Sequence, residues 1–156
     1  MDWAGWIVFG LVATTILTAM MQIGQLTGFS RMDLPLILGL IVTGKPDLAR
    51  FAGFVIHLIN GQVFALVYAG AFWLIGRSAW WLGAGFGLIH GLLALTVLLP
   101  IAASVHPRMA TDRSGPALGG LEPPGPLALN YGRETPIIAL IAHVLYGGIL
   151  GAFLHP

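Results

Sequence analysis

A chain of 156 residues with no cysteine has no disulfide, no thiolate metal site and no cysteine nucleophile. A formal net charge of +1, scattered along the chain, with only 8% charged residues, excludes the basic surface that nucleic-acid binding requires. The 57% hydrophobic content points instead to the lipid bilayer as the chain's immediate surroundings.

Four runs lack Asp, Glu, Lys and Arg: Trp3–Ser30, Phe51–Gly76, Ser78–Pro107 and Thr135–Pro156. Each exceeds the roughly 20 apolar residues that one crossing needs. Their hydrophobicity is continuous rather than alternating, so they are helices and not barrel strands. The fold class predicted is all-α and polytopic: an antiparallel bundle of four transmembrane helices forming a single domain over residues 1–156.

The first span is predicted over about 6–27. Its flank MDWAGW carries no basic n-region, so it reads as a membrane helix and not a signal peptide. In SRMDLPLILGLIVTGKPDLAR the apolar stretch Leu34–Val42 is too short to cross. It predicts a short interfacial or re-entrant segment, with Asp33 as N-cap and Pro35 in the first turn. The second span is expected over 51–75, followed by a tight GRS turn, and the third over 80–105. Pro100 predicts a kink or an early end there, because its ring opposes the Thr96 carbonyl. Residues 106–134, with SGPALGG and EPPGP, read as a cytoplasmic loop. The fourth span is expected over 135–154, starting at Thr135 and Pro136.

Orientation follows from the basic residues. Arg31, Lys45, Arg50, Arg108, Arg113 and Arg133 fall on one side and Arg77 on the other. The positive-inside rule then places both termini outside the cytoplasm, with Trp3, Trp6, Trp80 and Trp81 as outer interface anchors.

Each span carries a stripe of small or polar residues at helical spacing. The stripes are Thr14, Thr18, Gln22 and Gln25; His57, Asn60, Gly61, Phe64 and Tyr68; Gly83, Gly87, His90 and Ala94; and His143, Tyr146, Gly147 and Gly151. Such stripes serve helix packing with no ligand at all. The histidines ask for more, since ionisable groups inside a membrane mark function by default. Counting 1.5 Å per residue from the cytoplasmic helix ends, Gln22 lies about 8 Å deep, His57 about 9 Å, His143 about 12 Å and His90 about 22 Å.

Three chemistries suit that layer. A tetrapyrrole such as haem b would take His57 and His143 as axial ligands. Gly61 and Gly147, four residues from each histidine, would then leave room for the ring, with Asn60 and Tyr146 alongside. Such a protein would serve electron transfer or a larger membrane complex. A Zn- or Cu-type metal ion would take His57, His143 and His106. A cofactor-free transporter or accessory protein would use His90 and Gln22 with the same groups as a proton or solute path. A packing or scaffold subunit with no site is the remaining alternative. No motif assigns a reaction, so whether the chain is an enzyme stays open. The glycine faces suit a homo-oligomer or a larger complex.

HLINGQVFALVYA, GFGLIHGLLAL, VHPRM and YGRETPIIALIAHVLYG together resemble a family of small, uncharacterised four-helix membrane proteins of prokaryotes. The resemblance covers the second to fourth spans. It implies a bacterial inner-membrane setting and no residue roles.

Overall fold

The computed structural model describes residues 2–110 and 120–155. Arg113 and most of SGPALGG lie outside the described residues. Among the described residues there are six α-helices: α1 Trp3–Leu26, α2 Leu34–Gly39, α3 Pro46–Ile75, α4 Trp80–Leu93, α5 Leu99–Val105 and α6 Thr135–Phe153. A π-helical turn, Ala94–Leu98, joins α4 to α5, and a 3-10 segment, Pro126–Tyr131, precedes α6. Four helical stretches among the described residues are long and apolar enough to cross a membrane: Trp3–Leu26, Pro46–Ile75, Trp80–Val105 and Thr135–Phe153. Among the described residues there is no strand, only an isolated bridge between Met109 and Leu121.

The helix ends follow local chemistry. Asp2 caps α1 by accepting from the Gly5 amide at 2.8 Å, so that helix begins at Trp3, ahead of the expected residue 6. Asp33 caps α2 by accepting from the Leu36 amide at 3.0 Å, as its position predicts. The second span starts at Pro46 and not near residue 51, because Pro46 suits the first helical position and Asp47 the positive end of the helix dipole. Gly76, at φ 75°, closes α3 in the left-handed region.

Pro100 neither ends nor interrupts the third span. Proline cannot donate to the Thr96 carbonyl, and the ladder ahead of it widens so that the Leu99 amide donates to Ala94, five residues back. One π turn absorbs the misfit and the helix continues to Val105.

The closest helix contacts run backbone to backbone. An added Cβ at Gly83 would lie 2.0 Å from the Gly147 carbonyl oxygen, and one at Gly87 2.2 Å from that of His143. α6 therefore lies directly on α4. α1 meets α3 where Gly61 fits under Thr14, and the Gln62 side-chain amide donates to the Ile7 carbonyl at 3.0 Å. α2 folds back on α3, where a Cβ at Gly53 would lie 1.7 Å from the Pro35 carbonyl oxygen. The backbones of α3 and α4, neighbours in sequence, stay apart. Aromatic side chains bridge them: Tyr68 and Phe72 reach Phe86, and Phe64 stacks on His90.

A polar cap covers one end. Asp33 pairs with Arg50 at 2.9 Å, Arg31 pairs with Glu122 at 2.9 Å, and Ser30 bonds to Thr135 at 2.8 Å. Tyr131 is buried beneath this cap and its hydroxyl donates to the Glu122 carbonyl.

Two predictions follow from these contacts. Gly83→Val forces α4 away from α6 and costs about 1–3 kcal/mol, the usual range for overpacking, whereas Gly85→Val, with nothing near its added side chain, leaves stability unchanged. Thermal denaturation in detergent separates the two. Burial, reinforced by the Glu122 carboxylate and opposed by Arg31, pushes the Tyr131 phenol up to about 12. An unfolded tyrosine loses its proton near pH 10, so this group's contribution is complete below about pH 10 and is lost as pH rises to about 12. Tyr131→Phe removes that part of the alkaline loss, read from melting temperatures across this window.

Candidate functional site

His57 and Asn60 from α3, His90 from α4 and His143 from α6 line one cavity of about 310 Å3. Its remaining wall is apolar. It includes Leu17 and Met21 of α1, Met32 and Leu34 beside the cap, and Ala94, Leu95 and Leu98 of the π turn.

The hydrogen bonds fix which ring nitrogens carry protons. His143 Nδ1 lies 2.7 Å from the Ala139 carbonyl oxygen. A carbonyl only accepts, so this nitrogen is the donor. His57 Nδ1 lies 2.8 Å from the Thr18 hydroxyl. That hydroxyl spends its one hydrogen on the Thr14 carbonyl at 2.7 Å, so His57 Nδ1 donates to it. In the neutral rings, both Nε2 atoms then carry lone pairs. Neither has a hydrogen-bond partner among the described residues. His90 meets His143 edge to face at 4.8 Å between ring centroids, and its Nδ1 lies 3.5 Å from the Tyr68 hydroxyl.

This arrangement changes the sequence-derived picture at several residues. His90 sits beside His143 and not about 10 Å deeper. The depth count assumed level cytoplasmic ends. The span containing His90 has 26 residues and that of His143 has 19. The seven-residue excess (26 − 19) is about 10 Å of helix. The opposite ends are level, since Gly151 packs on Ala79, so the whole excess projects on the cap side.

The space beside Gly61 and Gly147 is taken by neighbouring helices. A Cβ at Gly61 would lie 1.9 Å from the Thr14 hydroxyl oxygen, and one at Gly147 2.1 Å from the Gly83 carbonyl oxygen. Their missing side chains admit neighbouring helices. The Tyr146 hydroxyl is committed as well, donating to the Gly61 carbonyl at 2.6 Å.

His106 does not join His57 and His143. Its Nε2 donates to the Ile37 carbonyl at 2.9 Å, and its Nδ1 accepts from the Arg108 amide at 3.1 Å, so both nitrogens are engaged within the cap. Among the described residues no three of His, Cys, Asp and Glu come together to hold a metal ion. Gln22 faces a separate groove with Thr15, Pro35 and Arg50, outside the histidine cavity.

Thr18, Tyr68 and Phe64 belonged to the polar stripes without a role assigned. Thr18 sets the His57 tautomer, and the other two hold His90. Met32 and Leu34 gave no signal, because they reach the cavity only through the fold-back of α2 onto α3.

No protein-family model, curated protein sequence or solved structure matches this chain. The site's meaning rests on its own chemistry.

The tautomers are directly measurable. With 15N-labelled histidine, His57 and His143 should both show a protonated Nδ1 and a pyridine-type Nε2. Thr18→Val should remove the His57 pattern and leave that of His143. Loss of this buried acceptor should also lower stability by about 1–3 kcal/mol.

Proposed function

We propose that this chain is a multi-pass inner-membrane protein, an antiparallel four-helix bundle with both termini outside the cytoplasm. In this reading it binds a small, largely apolar ligand within the bilayer as a cofactor-free carrier or accessory protein. The convergence of three histidines and one asparagine from three helices on an otherwise apolar cavity carries the reading. A concave apolar pocket with a few convergent polar groups is the usual form of a small-molecule site. Intramembrane histidines kept only for packing would not need unpartnered nitrogens at a cavity wall.

A tetrapyrrole between His57 and His143 is the less favoured reading. Helix backbones and Thr14 occupy the space expected at Gly61 and Gly147, and His90 lies against the His143 ring. A second reading, a proton path, draws on that same histidine contact and on Tyr68, whose hydroxyl lies 3.5 Å from His90. It requires no bound ligand.

Native mass spectrometry of the protein released from mild detergent should show a bound mass. Ala94→Phe, which fills the cavity from a half-buried wall position, should reduce it at least tenfold while the melting temperature holds. A wild-type protein free of any bound mass would overturn ligand binding. A Soret band in the visible spectrum, lost in His143→Ala, would restore the tetrapyrrole.

A further inference from the structure

We infer that the histidine cavity opens sideways into the bilayer between α3 and α4, and receives from the lipid phase an elongated apolar molecule ending in a hydroxyl group. This rests on the cavity being a ligand site, as proposed above, and adds the ligand's chemistry and its route.

The route follows from exposure and helix spacing. Asn60 and Leu98 line the cavity and are themselves exposed. Asn60 stands midway along α3, and Leu98 lies in the π turn inside the Trp80–Val105 span. A mouth rimmed by these residues lies at hydrocarbon depth, where lipid and not water meets it. An exposed amide in that position is costly unless it finds a polar partner. The α3 and α4 backbones stay apart, so that side chains and not packed backbone close this side.

A second groove of about 210 Å3 lies beside the cavity on the same two helices, lined by Phe64, Val67, Phe86, Ile89 and Leu93 with Tyr68 and His90. His90 lines both spaces, and Phe64 stacks on it at 3.9 Å between centroids. Cavity and groove therefore join into one elongated site when this one pair of rings swings aside. The groove suits a hydrocarbon chain and the cavity a compact head.

The chemistry follows from the proton positions. Both His57 and His143 use Nδ1 as a donor and leave Nε2 as an acceptor. The cavity thus offers two imidazole acceptors beside the Asn60 amide, and no Asp, Glu, Lys or Arg lines it among the described residues. A charged or zwitterionic head would be buried without counter-charge, at high cost. A neutral hydroxyl fits this set, donating to an imidazole nitrogen and accepting from the Asn60 amide. A soft metal ion would also seek the two lone pairs, but His90, though close, does not complete a group that could hold a metal ion among the described residues.

The test uses the full chain in phosphatidylcholine nanodiscs with 4-dodecylphenol as probe. Its methyl ether, 4-dodecylanisole, keeps the shape and lacks the donor. Wild type should bind the phenol saturably and at least tenfold more tightly than the ether, since a site built to bond a hydroxyl rejects the analogue without one. His143→Phe, which keeps ring bulk, should erase the difference; the Nε2-bearing wild type is its reference for folding by melting temperature. Equal affinities in wild type would overturn the hydroxyl assignment. One equivalent of Ag(I) bound through His143, with no phenol bound, would replace the hydroxyl with a soft metal. If neither probe binds while the native bound mass persists, the hydroxyl class falls and the cavity reading stands. If the bound mass is absent too, both fall.

The route is tested separately. The chain has no cysteine, so Val67→Cys with Ile89→Cys gives a single thiol pair across the groove. Bridging it with a cleavable bis-maleimide should slow phenol loading from vesicles at least tenfold, and cleavage should restore the rate. Unchanged loading would overturn lateral access. So would efficient Asn60→Cys disulfide formation between two copies in membranes, because a second copy would then cover the mouth.

Discussion

The contact between α4 and α6 governs the geometry of this protein. Lipid chains are as apolar as leucine, so burying apolar surface gives helices little reason to associate in a bilayer. Close backbone approach supplies dispersion contacts and weak Cα–H···O bonds instead. Gly83 and Gly87 against Gly147 and Gly151 permit that approach. A helix pair held this tightly has its flanking side chains thrown together. His90 and His143 meet because the glycines beside them have nothing to keep the chains apart. Gly91 continues the same surface, where an added Cβ would lie 3.1 Å from the His143 Cβ.

The cavity exists because two other features depart from regular helix packing. The π turn ahead of Pro100 inserts one residue into the helical register. Ala94, Leu95 and Leu98 within it, and Leu99 after it, all face the cavity. At the cap, α2 turns back on α3 and brings Leu34 and Leu38 over the end. The Asp33–Arg50 pair and the His106 bond to Ile37 hold this fold-back in place. A ring of polar contacts thus surrounds an apolar plug, and the histidines lie beneath it.

The four spans were legible in the sequence because membrane thickness imposes a length that few other constraints imitate. Their starts were less so. Asp2 and the Lys45–Pro46 pair looked like flanking loop, though each is a helix-starting signal. The histidine-bearing faces were also legible, since period 3.6 puts His57 with Asn60 and His143 with Tyr146. Depth was not, because sequence contains no information on how far one helix slides along another. Nor could sequence distinguish a glycine that leaves a space from one that a neighbouring helix fills. Gly61 and Gly147 are of the second kind, and only the position of Thr14 and Gly83 reveals it.

The pairing of helices has a consequence for biogenesis. Consecutive elements usually neighbour each other, yet α3 and α4 remain apart while α6 packs on both α1 and α4. α6 is synthesised after the other spanning helices. Until it emerges, α4 lacks its glycine partner and α1 lacks one of its two packing surfaces. The earlier helices must wait in the membrane as loosely associated spans, so His143 completes the histidine cluster as a late event of assembly. A ribosome stalled before Thr135 would leave a chain with its spans inserted and its histidine cavity incomplete.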